Sequence, residues 1–242
     1  MNKKLCLLWQ NTSTRQWYHV GNLEFTANDY LFYYEIRQQR RGVQEALDNG
    51  YQLHPAFPDL KEKYRANRLF NTFSRRLPNF KRADIKEKYS RLGFENSDDA
   101  YELFVLTGGK LAGDNYEFVK PVERSKDGKH LAFDFYVRGL RHYTNTDFEL
   151  PKGARLNFRV DKKNEYDGCA VEVICNDKRI GYVPAFYSPF IKQALENNEE
   201  IVLGKVTFDS QEASRFRMLM EVTIELSESN HKVNVEHCFT CL

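Results

Sequence analysis

Apolar and polar positions alternate at once. Residues 4–9 and 18–25 read as two strands, and the polar stretch 10–16 reads as the turn between them. Residues 30–34 (Tyr-Leu-Phe-Tyr-Tyr) predict a third, aromatic strand, followed by a polar and basic run over 37–41. Residues 43–49 then predict a short helix ended by Gly50. Phe57-Pro58-Asp59 is a turn signal, and 61–74 mixes cations with Tyr64, Leu69, Phe70 and Phe73 in a partly helical pattern. Ile85, Tyr89 and Leu92 fall at helical spacing over 83–92, with Gly93 as the stop. Ser97 is placed to cap a helix over 98–106 that ends at Gly108-Gly109. Asp98 and Asp99 suit the positive end of its dipole better than they suit paired acid–base work.

The pattern changes after a polar, charged segment at 122–131, which reads as a linker. Strands are predicted over 132–137, 155–160, 170–175, 179–183, 201–208 and 216–226, with Asn176-Asp177 as the turn between the third and fourth. Ser188 as N-cap and Pro189 as the first helical residue open one helix to about residue 197. In the last strand Phe216, Met218, Met220, Val222, Ile224 and Leu226 share a face. Many short strands and one helix indicate a small barrel-like β domain over 132–242, after an α+β domain over 1–121.

The 242 residues are 41% apolar and 14% aromatic, enough for packed cores. No apolar run approaches the roughly 18 residues of a membrane span, and residues 5–9 are too short for a signal peptide. Five scattered cysteines argue against a disulfide framework and for the cytoplasm. The net charge of +2 hides a local excess: residues 61–91 hold 11 Lys and Arg against three acids. That zone reads either as a phosphate-facing surface, with Arg75, Arg76, Lys81 and Arg82 as contacts, or as a solvated helical face.

No phosphate-cradling glycine loop, nucleophile elbow or His-Glu-x-x-His pair occurs, and no carboxylate cluster for a divalent ion is visible. The sequence therefore points away from an enzyme and calls for no cofactor. His231, His237, Cys238 and Cys241 could in number satisfy a zinc ion, but a frayed tail fits the same residues, and no metal is assigned.

Chemistry concentrates elsewhere. One strand ends in Arg138-Gly139-Leu140-Arg141-His142-Tyr143, and a loop further on reads Asn164-Glu165-Tyr166-Asp167-Gly168. Aromatic faces stack on bases, and arginine neutralises phosphate. A carboxylate suits a terminal sugar hydroxyl, which donates to it, better than it suits phosphate. The same residues would also serve as core tyrosines, a turn-closing Asp and a surface ion pair.

With Arg159, Ala170-Val171-x-Val173 and Ile180-Gly181-Tyr182-Val183-Pro184 in the same order and spacing, residues 133–209 resemble a HIRAN domain. The resemblance implies a modified OB-like β-barrel that binds single-stranded DNA at its free 3′ end. Arg141 would then contact phosphate, and Tyr143 and Tyr166 would stack on or frame the terminal bases. Asp167 would meet the 3′-hydroxyl, with Asn164 supporting the loop. His142 replaces a second phenol, and Cys169 replaces an Asn, so stacking and loop hydrogen bonding differ there.

Leu7-Leu8-Trp9-Gln10, Trp17-Tyr18-x-Val20-Gly21, Tyr30-x-Phe32-x-Tyr34, Phe57-Pro58-Asp59-Leu60 and Leu106-Thr107-Gly108-Gly109 are similar to the N-terminal subdomain of HipA-type toxin kinases. That likeness implies a bacterial protein of a toxin–antitoxin kind without a kinase core. The expected function is thus recognition of single-stranded DNA by a non-enzyme. The alternative is an antitoxin-like subunit that binds a separately encoded HipA-type kinase through Trp9, Trp17, Tyr18 and Tyr33.

Overall fold

A computed structural model describes residues 3–37, 40–79, 82–91, 99–145, 147–209 and 218–227. The chain divides into two compact units, Met1–Pro121 and Val122–Leu242.

The first unit is built on a five-stranded antiparallel sheet. Its strands are β1 (Lys3–Gln10), β2 (Trp17–Phe25), β3 (Tyr30–Tyr34), β4 (Tyr64–Ala66) and β5 (Tyr116–Val119), in the order β4-β3-β2-β1-β5. One face carries the aromatic core of Tyr18, Phe32, Tyr34, Phe57, Phe73, Phe104 and Phe118. These rings meet mostly tilted or edge to face, with Phe32 and Phe57 centred 4.3 Å apart and Phe104 and Phe118 4.6 Å apart. Four helices lie between strands: α1 (Val43–Asp48), α2 (Asn71–Ser74), α3 (Ala83–Arg91) and α4 (Ala100–Thr107). Asp99 is the N-cap of α4, accepting from the backbone N–H groups of Tyr101 and Glu102. The expected cap, Ser97, lies outside the described residues, as does Asp98. Gly108 adopts φ 63° and ends the helix in a left-handed cap. The segment 61–74 is not one partly helical stretch but an edge strand, β4, followed by the one-turn α2.

The second unit has two sheets. One is four-stranded, in the order β11-β12-β7-β6, from β6 (Glu123–Arg124), β7 (His130–Tyr136), β11 (Glu200–Phe208) and β12 (Met218–Glu225). The other is three-stranded, β10-β9-β8, from β8 (Leu156–Val160), β9 (Val171–Cys175) and β10 (Lys178–Tyr182). Helices α5 (Leu140–Tyr143) and α6 (Ser188–Glu196) complete it. Met218, Met220, Val222 and Ile224 are all buried, as their alternation requires; Phe216 lies outside the described residues. Tyr187 lies parallel to Phe133 at 5.0 Å and so joins the start of α6 to β7.

Three expectations fail here. The barrel is not closed among the described residues, because the two sheets meet only through a bridge between Arg138 and Tyr182. Gly139, at φ 73°, turns the chain out of strand geometry into α5 before a fuller ladder can form. Segment 122–131 is not a linker. Glu123 and Arg124 pair with Ala132 and Leu131, and Asp127 and Gly128 close the turn by hydrogen bonds to Lys129 and Arg124. Finally, Tyr187 rather than Ser188 is the N-cap residue of α6, and the Ser188 hydroxyl donates back to the Val183 and Pro184 carbonyls. Cys6 and Cys175 are buried and stand outside any disulfide.

Candidate nucleic-acid interface

The three-stranded sheet carries most of the chemistry. Its middle strand, β9, is buried throughout, including Glu172 at 6% exposure. Register places Arg159 of β8 and Tyr182 of β10 on either side of Glu172. Arg159 donates from Nε to Glu172 Oε2 at 2.6 Å, and Arg179 donates from Nη1 to Oε1 at 2.7 Å. The buried carboxylate is thus shared by two half-exposed guanidinium groups, which compensates its desolvation.

Arg179 reaches this position through a β-bulge. The register slips between Arg179 and Gly181, so Ile180 is an extra residue. In a regular ladder, residues three apart face opposite ways; the extra residue brings Arg179 and Tyr182 to the same face. Gly181 is required beside it. A Cβ there would sit 2.5 Å from Val137 Cγ1 and 2.6 Å from the Arg138 carbonyl oxygen, at the Arg138–Tyr182 bridge.

From that face a network runs to both expected binding segments. The guanidinium carbon of Arg179 lies 4.4 Å from the centre of the Tyr143 ring, and Tyr143 meets Tyr182 edge-on at 5.6 Å. Arg179 Nη1 donates to the Tyr182 hydroxyl, which donates to Asp161 Oδ2; both distances are 2.8 Å. Burial and the bond to Asp161 raise the Tyr182 phenol well above its ordinary value, so it stays a donor at all working pH. Burial opposes ionisation of Asp161. The bonds from Tyr182, the Lys163 N–H and Asn164, with Arg179 nearby, outweigh it and hold the acid below its ordinary value.

Asn164 donates to Asp161, and its side-chain oxygen accepts from the N–H groups of Tyr166 and Asp167, a turn that shapes the loop. Tyr166 is 59% exposed and Tyr143 40%, so neither is the core tyrosine that the residue types alone allowed. Asp167 is half-buried, and its Oδ1 accepts the Cys169 N–H, which is the turn-closing role. Arg141 and His142 are exposed on α5, with Arg141 Nε donating to His142 Nε2 at 3.3 Å. The structure therefore connects Tyr143 to the loop of Asn164, Tyr166 and Asp167 through Arg179, Tyr182 and Asp161. Arg179 and Glu172 were not anticipated. The signal for them was Gly181 inside a strand, which marks a bulge or a close backbone approach.

The basic zone of the first unit is more occupied than its composition suggests. Arg76 pairs with Asp114 at 2.6 Å, donates to the Gly109 carbonyl and lies over Tyr116. Arg82 forms a two-point pair with Asp84 at the start of α3. Arg75 is exposed, and Lys81 lies outside the described residues. The tail residues His231, His237, Cys238 and Cys241 also lie outside them. Among the described residues no cluster of three metal-ligating side chains is found, and no helix is long and apolar enough to cross a membrane.

Comparison with known proteins now adds a family. Residues 130–227 match the family model described as the HIRAN domain, and this part of the chain is a HIRAN domain. A solved structure, the HIRAN domain of human HLTF, is 23% identical. The match covers 46% of this chain and 91% of that one at a TM-score of 0.36, too slight a likeness to bear on the fold. A search of curated proteins finds no match. The likeness of the first unit to the HipA subdomain receives no support from these comparisons.

Proposed function

We propose that the chain is a non-enzymatic DNA-binding protein whose HIRAN domain recognises single-stranded DNA at a free 3′ end. The observation that carries this reading is the HIRAN match over 130–227 in a segment that exposes Tyr143 and Tyr166 on its surface. In this reading the two rings stack on or frame the terminal bases, Arg141 of α5 meets backbone phosphate, and His142 beside it adds a weaker stacking face. Asn164 sets the loop, and the Asp167 carboxylate accepts a hydrogen bond from the terminal hydroxyl.

A 3′-phosphate would bring a dianion to that carboxylate. Fluorescence anisotropy with strands bearing free or phosphorylated 3′ ends should show weaker binding of the phosphorylated strand. Blocked 5′ ends, duplex and RNA complete the panel. Equal affinity for free and blocked 3′ ends refutes end recognition.

A further inference from the structure

The carboxylate–arginine cluster on the three-stranded sheet holds one guanidinium in an unusual state of readiness. All hydrogen bonds and ion pairs that Arg179 makes use Nη1, toward Glu172, Tyr182 and Asp161. Its Nε–H and Nη2–H groups make no hydrogen bond among the described residues, and the side chain is 36% exposed. One face of the group is taken by the Tyr143 ring at 4.4 Å. Fixed at one nitrogen and along one face, the arginine keeps a two-donor edge for a ligand. That edge matches two oxygens of one phosphate group, a fit a lysine cannot make.

We propose that Arg179 forms a phosphate subsite of the interface: its Nε–H and Nη2–H edge binds a phosphodiester of the bound strand beside the base that Tyr143 carries. This rests on the reading of the domain as a single-strand binder and adds a residue that the HIRAN landmarks do not include. The arrangement also sets the character of the contact. Arg159 and Arg179 face Glu172 and Asp161, so the cluster is close to neutral. It does little to draw DNA from a distance and acts only once the strand is in contact. Preorganisation replaces long-range attraction, because the cost of fixing a flexible side chain is met before the ligand arrives.

The test measures binding of a fluorescein-labelled ten-nucleotide thymidine strand with a free 3′ end, from 50 to 300 mM KCl. Intact protein, Arg179→Gln and Arg179→Lys are compared, with thermal unfolding of each as a check on folding. Arg179→Gln should weaken binding about tenfold at low salt. It should also flatten the slope of log affinity against log salt by about 0.7, the share of one single-strand phosphate. Arg179→Lys should restore the slope and only part of the affinity. Strands with one neutral methylphosphonate linkage locate the contact: one linkage should weaken the intact protein and leave Arg179→Gln indifferent. An unchanged slope in Arg179→Gln, or a changed slope that Arg179→Lys does not restore, overturns the subsite while DNA binding stands. Failure of the intact protein to bind the strand overturns both the subsite and the reading beneath it, and the first arm alone reveals it.

Discussion

Each unit of the molecule buries a glutamate in or beside a sheet and answers it with arginine, and the two differ in what else surrounds the carboxylate. In the first unit Glu35 is 1% exposed, and Asn22, itself fully buried, donates to it at 3.0 Å. His19, at 1%, hydrogen-bonds Asn22 Oδ1 and the Gly21 carbonyl. Arg37 closes the group with its N–H and guanidinium on the same carboxylate. The histidine, the asparagine and the carboxylate all lie in the interior, and Arg37, its side chain 53% exposed, is the member that reaches the surface. In the second unit, among the described residues, Glu172 has two arginines and no buried partner of comparable depth, and the arginines extend into solvent. One carboxylate completes a buried polar network with Asn22 and His19 beside its sheet. The other anchors cations on a surface. Burial of a charge therefore says little about its role until all of its surroundings are inspected.

The largest expected contrast is in stability. Glu35→Ala leaves the Asn22 amide and Arg37 without their acceptor at a buried site, and chemical denaturation should show a loss of about 2–4 kcal/mol. DNA affinity should be unchanged. Next, Tyr143→Ala and Tyr166→Ala should each weaken single-strand binding roughly tenfold, about 1–3 kcal/mol per stacked base, without a comparable loss of stability. An unchanged titration curve for Tyr166→Ala removes that residue from the site. Glu172→Gln should cost only about 1 kcal/mol, because Arg159 and Arg179 can turn to water. A cost equal to that of Glu35→Ala breaks the comparison.

The smallest effect is in acid. Burial opposes ionisation of Glu35, but Arg37, His19 and Asn22 outweigh it and lower its pKa below the ordinary 4.5. The stability it supplies is then complete above about pH 4.5. It is lost as pH falls through the folded value, because the unfolded state takes up the proton first. Glu35→Gln should therefore flatten the acid limb of the stability profile. A limb as steep as that of the intact protein assigns acid lability elsewhere.

Much of the architecture was legible because alternation is a strong signal wherever one face is buried. Residues 30–34 form a strand as expected, and the left-handed Asn176 and Asp177, at φ 47° and 68°, make the tight turn that their side chains favour. What failed has a physical pattern. β5 is only four residues and follows a loop, so periodicity had too few positions to register it. Segment 122–131 looked like a linker because a two-residue strand needs no apolar side chains of its own. Tyr143 and Tyr166 could be named as site candidates from residue type and family likeness, yet their exposure could not. Arg179 was hidden by the bulge, since an alternation rule assigns it to the face opposite Tyr182.

That single surplus residue makes chain length itself a determinant of chemistry. Between the Asn176-Asp177 corner and Gly181, the count of residues decides whether a guanidinium looks toward Tyr143 or away from it. Shortening this stretch by one, with every side chain of the pocket retained, would remove the cation from the surface as effectively as mutating it. Relatives that differ there by one residue would share the composition of the site and differ in what it can hold.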